Sequence, residues 1–293
     1  MTACTEYSLQ GKEGINSPPD GDSENIDPDD PTNEEDPEDD TFGDPNTEGQ
    51  PPVAVCSVNP EIIAPLIDSA DFMGYESYDP EGGALIYEWE LIEIPEGSTA
   101  SFGWADTDTV YGFIADLAGT YTGQLTVTDD EGLTDTCQAS LEAVPYQNLW
   151  VEMYWEYPDD DMDLHLIAPN KDWNSFKETE YDCYYSNCTS NAWTTLDWGV
   201  SGVSTDDPRL DLDDISATGP ENINIDQPES GGMYTVLVHD YPYTGTYAGA
   251  NNVTINIYLD GSLAWSDTRP ISGEDTYTVF AKIDWANSQI IPQ

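Results

Sequence analysis

The sequence predicts an all-β protein with two β-sandwich domains that follow an acidic N-terminal tether. Three observations support this fold class: apolar residues alternate with polar ones in short segments, turn sequences separate the segments, and no convincing helical period interrupts them. We expect the tether at residues 1–50, the first sandwich at residues 51–145 and the second sandwich at residues 146–293.

The N-terminal segment has the composition of a disordered linker. Asp20–Glu48 consists largely of Asp, Glu, Pro, Gly, Asn and Ser, and it contains no Lys or Arg. Such a segment cannot bury enough apolar area to offset its ordering entropy, and repulsion between its charges extends it. We therefore expect it to hold the folded part of the chain away from a surface.

The first four residues, Met1-Thr2-Ala3-Cys4, resemble the end of a bacterial lipoprotein signal sequence. The resemblance implies that Cys4 carries lipid and that this lipid is the chain's contact with the membrane, on an outer-membrane or cell-surface lipoprotein. Because the basic and apolar parts of a signal peptide are missing, the chain resembles a mature form. The alternative is that the first four residues have no special meaning and that the protein is extracellular. The sequence has no run of about 20 apolar residues, so we expect no membrane-spanning helix.

The charge balance limits the classes of partner. Six Lys and Arg stand against 59 Asp and Glu, which gives a formal net charge of -53. This balance excludes electrostatic binding to nucleic acid or to an anionic membrane. A solubilising surface explains the total charge, but it does not explain acids placed two apart at the end of a strand. We expect a surface polysaccharide or another surface protein as the partner.

The cysteines indicate export. Without Cys4 their number is even. Cys56 precedes the first strand-like segment of the first sandwich, and Cys137 lies near its last one. A bond between them closes nearly the whole domain, and it contributes about 4–5 kcal/mol to the free energy of unfolding on the loop-entropy model. A bond between Cys183 and Cys188 closes a short loop and contributes about 2 kcal/mol. Free buried thiols are the alternative, and no Cys/His zinc spacing is present.

Residues 51–145 alternate with a period of two and resemble a known family. The alternating apolar positions are Leu85, Tyr87, Trp89 and Leu91, and then Tyr121, Gly123, Leu125 and Val127. Four segments resemble PKD-type immunoglobulin-like domains in the same order: Tyr78–Trp89, Ile94–Ser98, Asp116–Tyr121 and Leu125–Gly132. The resemblance implies a seven-strand sandwich that serves as a spacer or adhesive module on bacterial surface proteins.

Some PKD-type relatives bind Ca²⁺ near the turn that corresponds to Asp79–Gly82. An alternative interpretation is that Asp79 and Asp129 cap turns through hydrogen bonds from their side chains to the backbone. We favour turn capping for this domain.

Residues 146–293 also have the pattern of a β-sandwich, of jelly-roll character with long loops. The predicted core strands contain Leu149-Val151-Met153-Trp155, Tyr234-Val236-Val238, Val253-Ile255-Ile257-Leu259 and Tyr277-Val279-Ala281-Ile283-Trp285. The pair Asp260-Gly261 predicts a type I′ hairpin turn. Through Asp161–Leu166, Gly219–Glu221 and Gly232–Val238, this half resembles the uncharacterised family that includes YfaP-like proteins, which implies fold and location rather than an activity.

Two acidic clusters in the second half predict a Ca²⁺ site. Asp161 and Asp163 lie on one side of a strand end, and the loop that follows brings further acids that complete a cage of oxygen ligands, which suits Ca²⁺ better than a transition metal. The candidate ligands are Asp161, Asp163, Asp211, Asp213, Asp214 and Glu221. Solvated turns with Asp caps are the alternative. We expect His165 to be a packed or hydrogen-bonded strand residue rather than a ligand.

The aromatic residues of the loops indicate a binding surface rather than an active site. The candidate ligand-binding residues are Trp173, Tyr184, Tyr185, Trp193, Trp198 and Tyr243, although many of them are expected to cover the core. No Gly-x-Ser-x-Gly or His-Glu-x-x-His motif occurs. We therefore expect a non-catalytic adhesion or ligand-display protein stabilised by Ca²⁺, and the alternative is a carbohydrate-binding module that attaches to or captures polysaccharide.

Overall fold

The computed structural model describes residues 49–172, 174, 180–189, 196–215, 217–242 and 249–293. The predicted tether up to residue 48, which includes Cys4, lies outside this range. Strands dominate the described residues, and a short 3-10 helix lies at Trp285–Asn287. The predicted all-β fold class is confirmed.

The first sandwich contains seven strands in its described part. They are β1 (Ser57–Asn59), β2 (Ile62–Ile63), β3 (Ala70–Met73), β4 (Ile86–Glu93), β5 (Thr109–Phe113), β6 (Gly119–Thr128) and β7 (Thr134–Ala143). One sheet has the order β1-β3-β5 and the other β2-β7-β6-β4. The pair β2–β7 is parallel, and all other pairs in these sheets are antiparallel. The alternation in β4 and β6 follows directly from burial of one side of each strand against this core.

Aromatic packing and a disulfide hold the first sandwich together. Phe72, which is fully buried, contacts the rings of Trp89, Phe102 and Phe113 edge-on at centroid distances of 5.8, 5.0 and 5.6 Å. Cys56 and Cys137 are joined, which confirms the predicted bond that closes most of this domain.

Two turns of the first sandwich are capped as predicted. Asp79 accepts the N–H groups of Glu81 and Gly83 at 2.8 and 2.7 Å, one on each carboxylate oxygen. Asp129 accepts those of Glu131 and Leu133 through Oδ1 at 3.1 and 2.8 Å. Both side chains therefore stabilise their turns, and the capping interpretation is confirmed.

In its described residues, the second sandwich has two five-stranded antiparallel sheets. Its strands are β8 (Leu149–Trp155), β9 (Met162–Ile167), β10 (Asp182–Cys183), β11 (Arg209–Leu212), β12 (Glu221–Ile225), β13 (Met233–Asp240), β14 (Asn251–Leu259), β15 (Ser262–Ile271), β16 (Thr276–Asp284) and β17 (Gln289–Pro292). The sheet orders are β10-β9-β13-β16-β17 and β11-β12-β8-β14-β15. The chain crosses repeatedly between the sheets, and their inner faces share one apolar core.

Local sequence explains two connections of this sandwich. Asp260 and Gly261 both have positive φ, 49° and 74°, which is the conformation of a type I′ turn between β14 and β15. Cys183 and Cys188 form the predicted short disulfide at the end of β10. Both predictions are confirmed.

Strand β16 departs from the predicted alternation. Its pairing with β13 skips Phe280, so that a β-bulge separates Ala281 and Ile283, which lie in the core, from the first part of the strand. Tyr277 therefore lies outside the core and stacks on the ring of His239, with a centroid distance of 4.0 Å. A strict period of two cannot anticipate this change of side.

Strand β8 is buried on both faces. The sequence predicts one apolar face, but Trp150 and Glu152, on the other face, are also fully buried. The carboxylate of Glu152 accepts the N–H of Ala118, in the first sandwich, at 2.6 Å and the indole N–H of Trp150 at 2.9 Å. Residues 49–293 form one compact unit, and the domain division at residue 145 stays a prediction.

The buried carboxyl of Glu152 predicts a pH-dependent stability. Burial raises its pKa to about 7 from the ordinary 4.5. Between these values the folded state retains a proton that the unfolded state releases, so the free energy of unfolding falls as the pH rises, by up to about 1.4 kcal/mol per pH unit. Glu152→Gln is expected to remove this slope and to be more stable than the wild type above pH 7.

Urea unfolding of both proteins in excess chelator, between about pH 4.5 and pH 8, measures the slope. Glu142→Gln, which neutralises an exposed acid of β7, serves as the control and should keep the wild-type slope. Equal slopes for the wild type and Glu152→Gln would show that Glu152 is ionised in the folded state throughout this range.

Candidate functional site

Five acids form a pocket, here called the acidic pocket, where three segments of the second sandwich meet. Asp161 and Asp163 come from the start of β9, Asp213 and Asp214 follow β11, and Glu221 is the first residue of β12. Carboxylate oxygens of Asp163, Asp213 and Glu221 lie within 4.8 Å of one another. The structure thus brings three of the six predicted ligands within one ion's reach, and Asp161 and Asp214 are close enough for their charges to interact with this group.

Glu221 lies deepest in the acidic pocket. Its side chain is fully buried, and its Oε2 accepts the N–H of Leu164 at 2.8 Å. The other oxygen, Oε1, has no hydrogen-bond partner, and neither has Oδ2 of Asp163, a residue that is only 4% exposed. Burying such oxygens without a partner costs free energy, and the cost is larger when they are charged.

The loop between β11 and β12 positions two of the acids. Asp214 accepts the N–H groups of Ala217 and Gly219 at 3.2 and 2.9 Å, which folds the loop back on itself. Asp213 remains exposed, so the acidic pocket opens to solvent on its side. The pocket is therefore deep at Glu221 and accessible at Asp213.

The electrostatics of the acidic pocket are unfavourable for several negative charges. Burial first, and then the charges of neighbouring acids led by Asp163, raise the pKa of Asp161 to about 7. The same two causes raise the pKa of Asp213, and they raise the pKa of Glu221 well above its ordinary value. Within the described ranges, no Lys or Arg forms an ion pair with Asp163, Asp213 or Glu221.

Asp211 does not join the acidic pocket, contrary to the predicted ligand set. Its carboxylate accepts from Arg209 Nε at 3.0 Å and from Asn224 Nδ2 at 2.9 Å. Arg209 lies two residues away on the same side of β11, and its guanidinium holds the carboxylate there. Spacing along the chain could not separate Asp211 from Asp213, because the pairing of β11 is irregular between Leu210 and Leu212 and the strand ends before Asp213.

Two histidines adjoin the acidic pocket through Asp163. His165 Nδ1 donates to the two oxygens of Asp182, 3.0 and 2.9 Å away, so His165 is the hydrogen-bonded strand residue that the sequence predicts. His239 Nδ1 lies 3.4 Å from Asp163 Oδ2, and its Nε2 lies 3.2 Å from Asp275. The sequence alone does not place His239 here, because only the β9–β13 register pairs it with Asp163.

The predicted aromatic ligand residues lie in different environments. Tyr184 stacks on His165 at 5.1 Å, and Tyr185 contacts both Tyr184 and Tyr241, so these rings line the histidine side of the site. Trp198, predicted as a ligand-binding residue, belongs to the core instead and is 4% exposed. Its ring packs near Tyr234, and its indole N–H donates to a backbone carbonyl. Trp173, Trp193 and Tyr243 lie outside the described residues.

One exposed aromatic residue was not among the predicted ligand residues. Trp104 of the first sandwich is 79% exposed, beside a shallow groove that Ile86, Tyr87, Glu88 and Asp106 also line. Its flanking residues, Gly103 and Ala105, form no alternating pattern that would have marked it.

Comparison with known proteins gives likenesses of fold only. No family model and no curated protein matches the chain. The chain is similar to the PKD1 domain of Vibrio anguillarum Epp, with 28% identity over 33% of this chain and 96% of that one and a TM-score of 0.25. It is also similar to a carbohydrate-binding module from the β-sandwich superfamily, with 13% identity over 79% and 96% of the two chains and a TM-score of 0.27.

A third likeness is to extracellular cadherin domains 1–4 of protocadherin gamma B7, with 11% identity over 77% and 49% of the two chains and a TM-score of 0.20. All three TM-scores are below 0.5, so the fold assignment rests on the strand order described above. The resemblance of the second half to YfaP-like proteins stays a prediction. No helix in the described part of the chain has the length and apolar character needed to cross a membrane.

The geometry of the acidic pocket predicts that neutralising Glu221 stabilises the protein when divalent cations are removed. In Glu221→Gln the amide oxygen still accepts the Leu164 N–H, while repulsion between Glu221 and Asp163 disappears. We expect an increase in the free energy of unfolding of about 1 kcal/mol or more in excess chelator at neutral pH. Urea unfolding measures it, and a destabilised variant would show that a charge at this position is favourable even without a cation.

Proposed function

We propose that this chain is an exported, non-catalytic binding protein whose second sandwich binds Ca²⁺ in the acidic pocket. The observation that carries the proposal is Glu221, a fully buried carboxylate with one unpartnered oxygen beside the unpartnered oxygen of Asp163. A cation between these oxygens supplies the missing partner for both and offsets their repulsion.

The donor set favours Ca²⁺ for this pocket. All five side chains offer carboxylate oxygens, and Ca²⁺ accepts six to eight oxygen ligands in flexible geometry. Mg²⁺ prefers a stricter octahedral arrangement that retains several waters. The exposed position of Asp213 leaves room for water to complete the coordination shell.

The role of the ion would be to fix a surface rather than to promote a reaction. It would join the start of β9 to the loop between β11 and β12, two segments that belong to different sheets. The disulfides Cys56–Cys137 and Cys183–Cys188 support export to an oxidising compartment. Together these features favour adhesion or ligand display at or outside the cell surface, with the lipid on Cys4 as the proposed anchor.

Calcium should stabilise the wild type but not variants of the acidic pocket. A thousandfold excess of Ca²⁺ over its dissociation constant is expected to add about 4 kcal/mol to the free energy of unfolding. Asp163→Asn and Glu221→Gln should lose this increment. Asp211→Asn is the matched control, because Asp211 is an acid of the same loop region that lies outside the pocket, and it should retain the increment.

Thermal unfolding of the full chain in millimolar Ca²⁺ and in excess chelator measures these increments, and calorimetric titration gives the stoichiometry. If Ca²⁺ stabilises the wild type and all three variants equally little, the acids only form a solvated surface. An increment lost in Asp211→Asn but kept in Glu221→Gln would place the ion elsewhere.

Carbohydrate binding is the second candidate function, and the exposure of Trp104 favours it. An indole that is 79% exposed offers a flat apolar face for stacking on a sugar ring, and the carboxylates of Glu88 and Asp106 lie in the same groove to accept hydroxyl groups. We expect Trp104→Ala to weaken binding to any polysaccharide that retains the wild type in affinity electrophoresis. Unchanged retardation of that variant would exclude this surface, and Tyr111→Ala, another exposed aromatic residue of the same domain, is the control.

A further inference from the structure

We propose that His165, His239 and Asp163 form a second metal site, which binds a transition-metal ion of the Zn²⁺ type. A ring nitrogen of each histidine and a carboxylate oxygen of Asp163 lie within 4.8 Å of one another, and all three residues are buried. The two histidines take no part in the proposed calcium site, and Asp163, through its Oδ2, is the residue that the two sites share.

His165 presents one nitrogen that no protein atom uses. Its Nδ1 lies against both oxygens of Asp182, at 3.0 and 2.9 Å, and a carboxylate can only accept there, so Nδ1 carries the proton. The remaining nitrogen, Nε2, is buried and has no hydrogen-bond partner. A carboxylate that orients a histidine in this way is the usual outer partner of a metal-binding imidazole.

His239 is arranged in the same way. Its Nε2 lies 3.2 Å from Asp275 Oδ1, which leaves Nδ1 facing Asp163 Oδ2 at 3.4 Å. This separation is long for a hydrogen bond, and it matches the distance of about 3.3 Å between two ligands of a tetrahedral ion with bonds of about 2.0 Å. Each histidine therefore has one nitrogen held by a carboxylate, and a ring nitrogen of each lies within 4.8 Å of the other and of an Asp163 oxygen.

The strands hold this arrangement rigidly. Asp163 and His165 lie two apart on β9, and the register places His239 of β13 directly opposite Asp163. Tyr184 stacks on His165 with an angle of 7° between the rings, and Tyr277 stacks on His239 with an angle of 2°. These tyrosines restrict the rotation of both imidazoles, so the ligands are positioned before the ion binds.

The composition of the chain makes the arrangement more specific. The sequence contains two histidines, and both belong to this site. Residues that merely pack in a sheet satisfy their polar atoms with protein partners, but Nε2 of His165 has none and Oδ2 of Asp163 has only the long contact with His239 Nδ1. Two imidazoles and one carboxylate suit Zn²⁺ and related ions, whereas Ca²⁺ prefers oxygen ligands alone.

Zn²⁺ binding to the full chain tests this proposal. The protein should carry Cys4→Ser and no histidine tag, and millimolar Mg²⁺ should be present to occupy diffuse acidic sites. Competition with a chromophoric zinc chelator is expected to show one strong site, and Co²⁺ should give visible absorption bands of a low-coordinate ion with nitrogen ligands. His165→Gln and His239→Gln should each abolish both signals, and Asp182→Asn should weaken Zn²⁺ binding about 10- to 100-fold.

Calcium titrations of the same variants separate this site from the proposed calcium site. His239→Gln is expected to lose Zn²⁺ binding but to keep the calcium increment in stability, which also shows that the variant is folded. Glu221→Gln is expected to do the reverse, and Asp163→Asn should lose both. Absence of a strong Zn²⁺ site in the wild type, or Zn²⁺ affinity unchanged in either histidine variant, would overturn the proposal.

Discussion

The hydrogen bond from the Leu164 N–H to the buried carboxylate of Glu221 is the contact on which this end of the second sandwich depends. Strand β10 pairs with β9 at Leu166 and Ile167, so Leu164 has no strand neighbour on that side. Glu221 supplies the acceptor from the other sheet. An amide would satisfy this bond as well, but a carboxylate also places negative charge beside Asp163. This carboxylate adds repulsion within the acidic pocket, which the proposed cation would offset.

Strand β9 has one apolar side and one polar side. Met162, Leu164 and Leu166 belong to the apolar core, whereas Asp163 and His165 lie on the other side. The register then extends the polar side across the sheet, because Asp163 is opposite His239 and His239 is opposite Tyr277. One short strand thus contributes to the core, to the acidic pocket and to the histidine site.

Sequence patterns predicted the parts of this molecule that depend on local chemistry. The period of two, the Asp260-Gly261 turn and the two disulfides are confirmed, because each depends on neighbours along the chain or on residue type. The errors arise where distant segments decide. Burial of Glu152 depends on contact with Ala118, Asp211 is bound by Asn224 of β12, and the bulge at Phe280 turns Tyr277 toward His239. The convergence of the two histidines depends on strand register, which the sequence alone does not specify.

A continuous set of contacts leads from the acidic pocket to the tyrosines of the surface loops. The carbonyl of Asp161 accepts the N–H of Tyr241 at 2.8 Å, and the ring of Tyr241 contacts that of Tyr185 edge-on at 5.8 Å. Tyr185 in turn contacts Tyr184, which stacks on His165. If the proposed ions bind, an ion that orders Asp161 would also restrict the backbone at Tyr241, and an ion on His165 would restrict the same group of rings from the opposite side. The two proposed metal sites and this aromatic surface would then be coupled, so that cations would favour one arrangement of the rings.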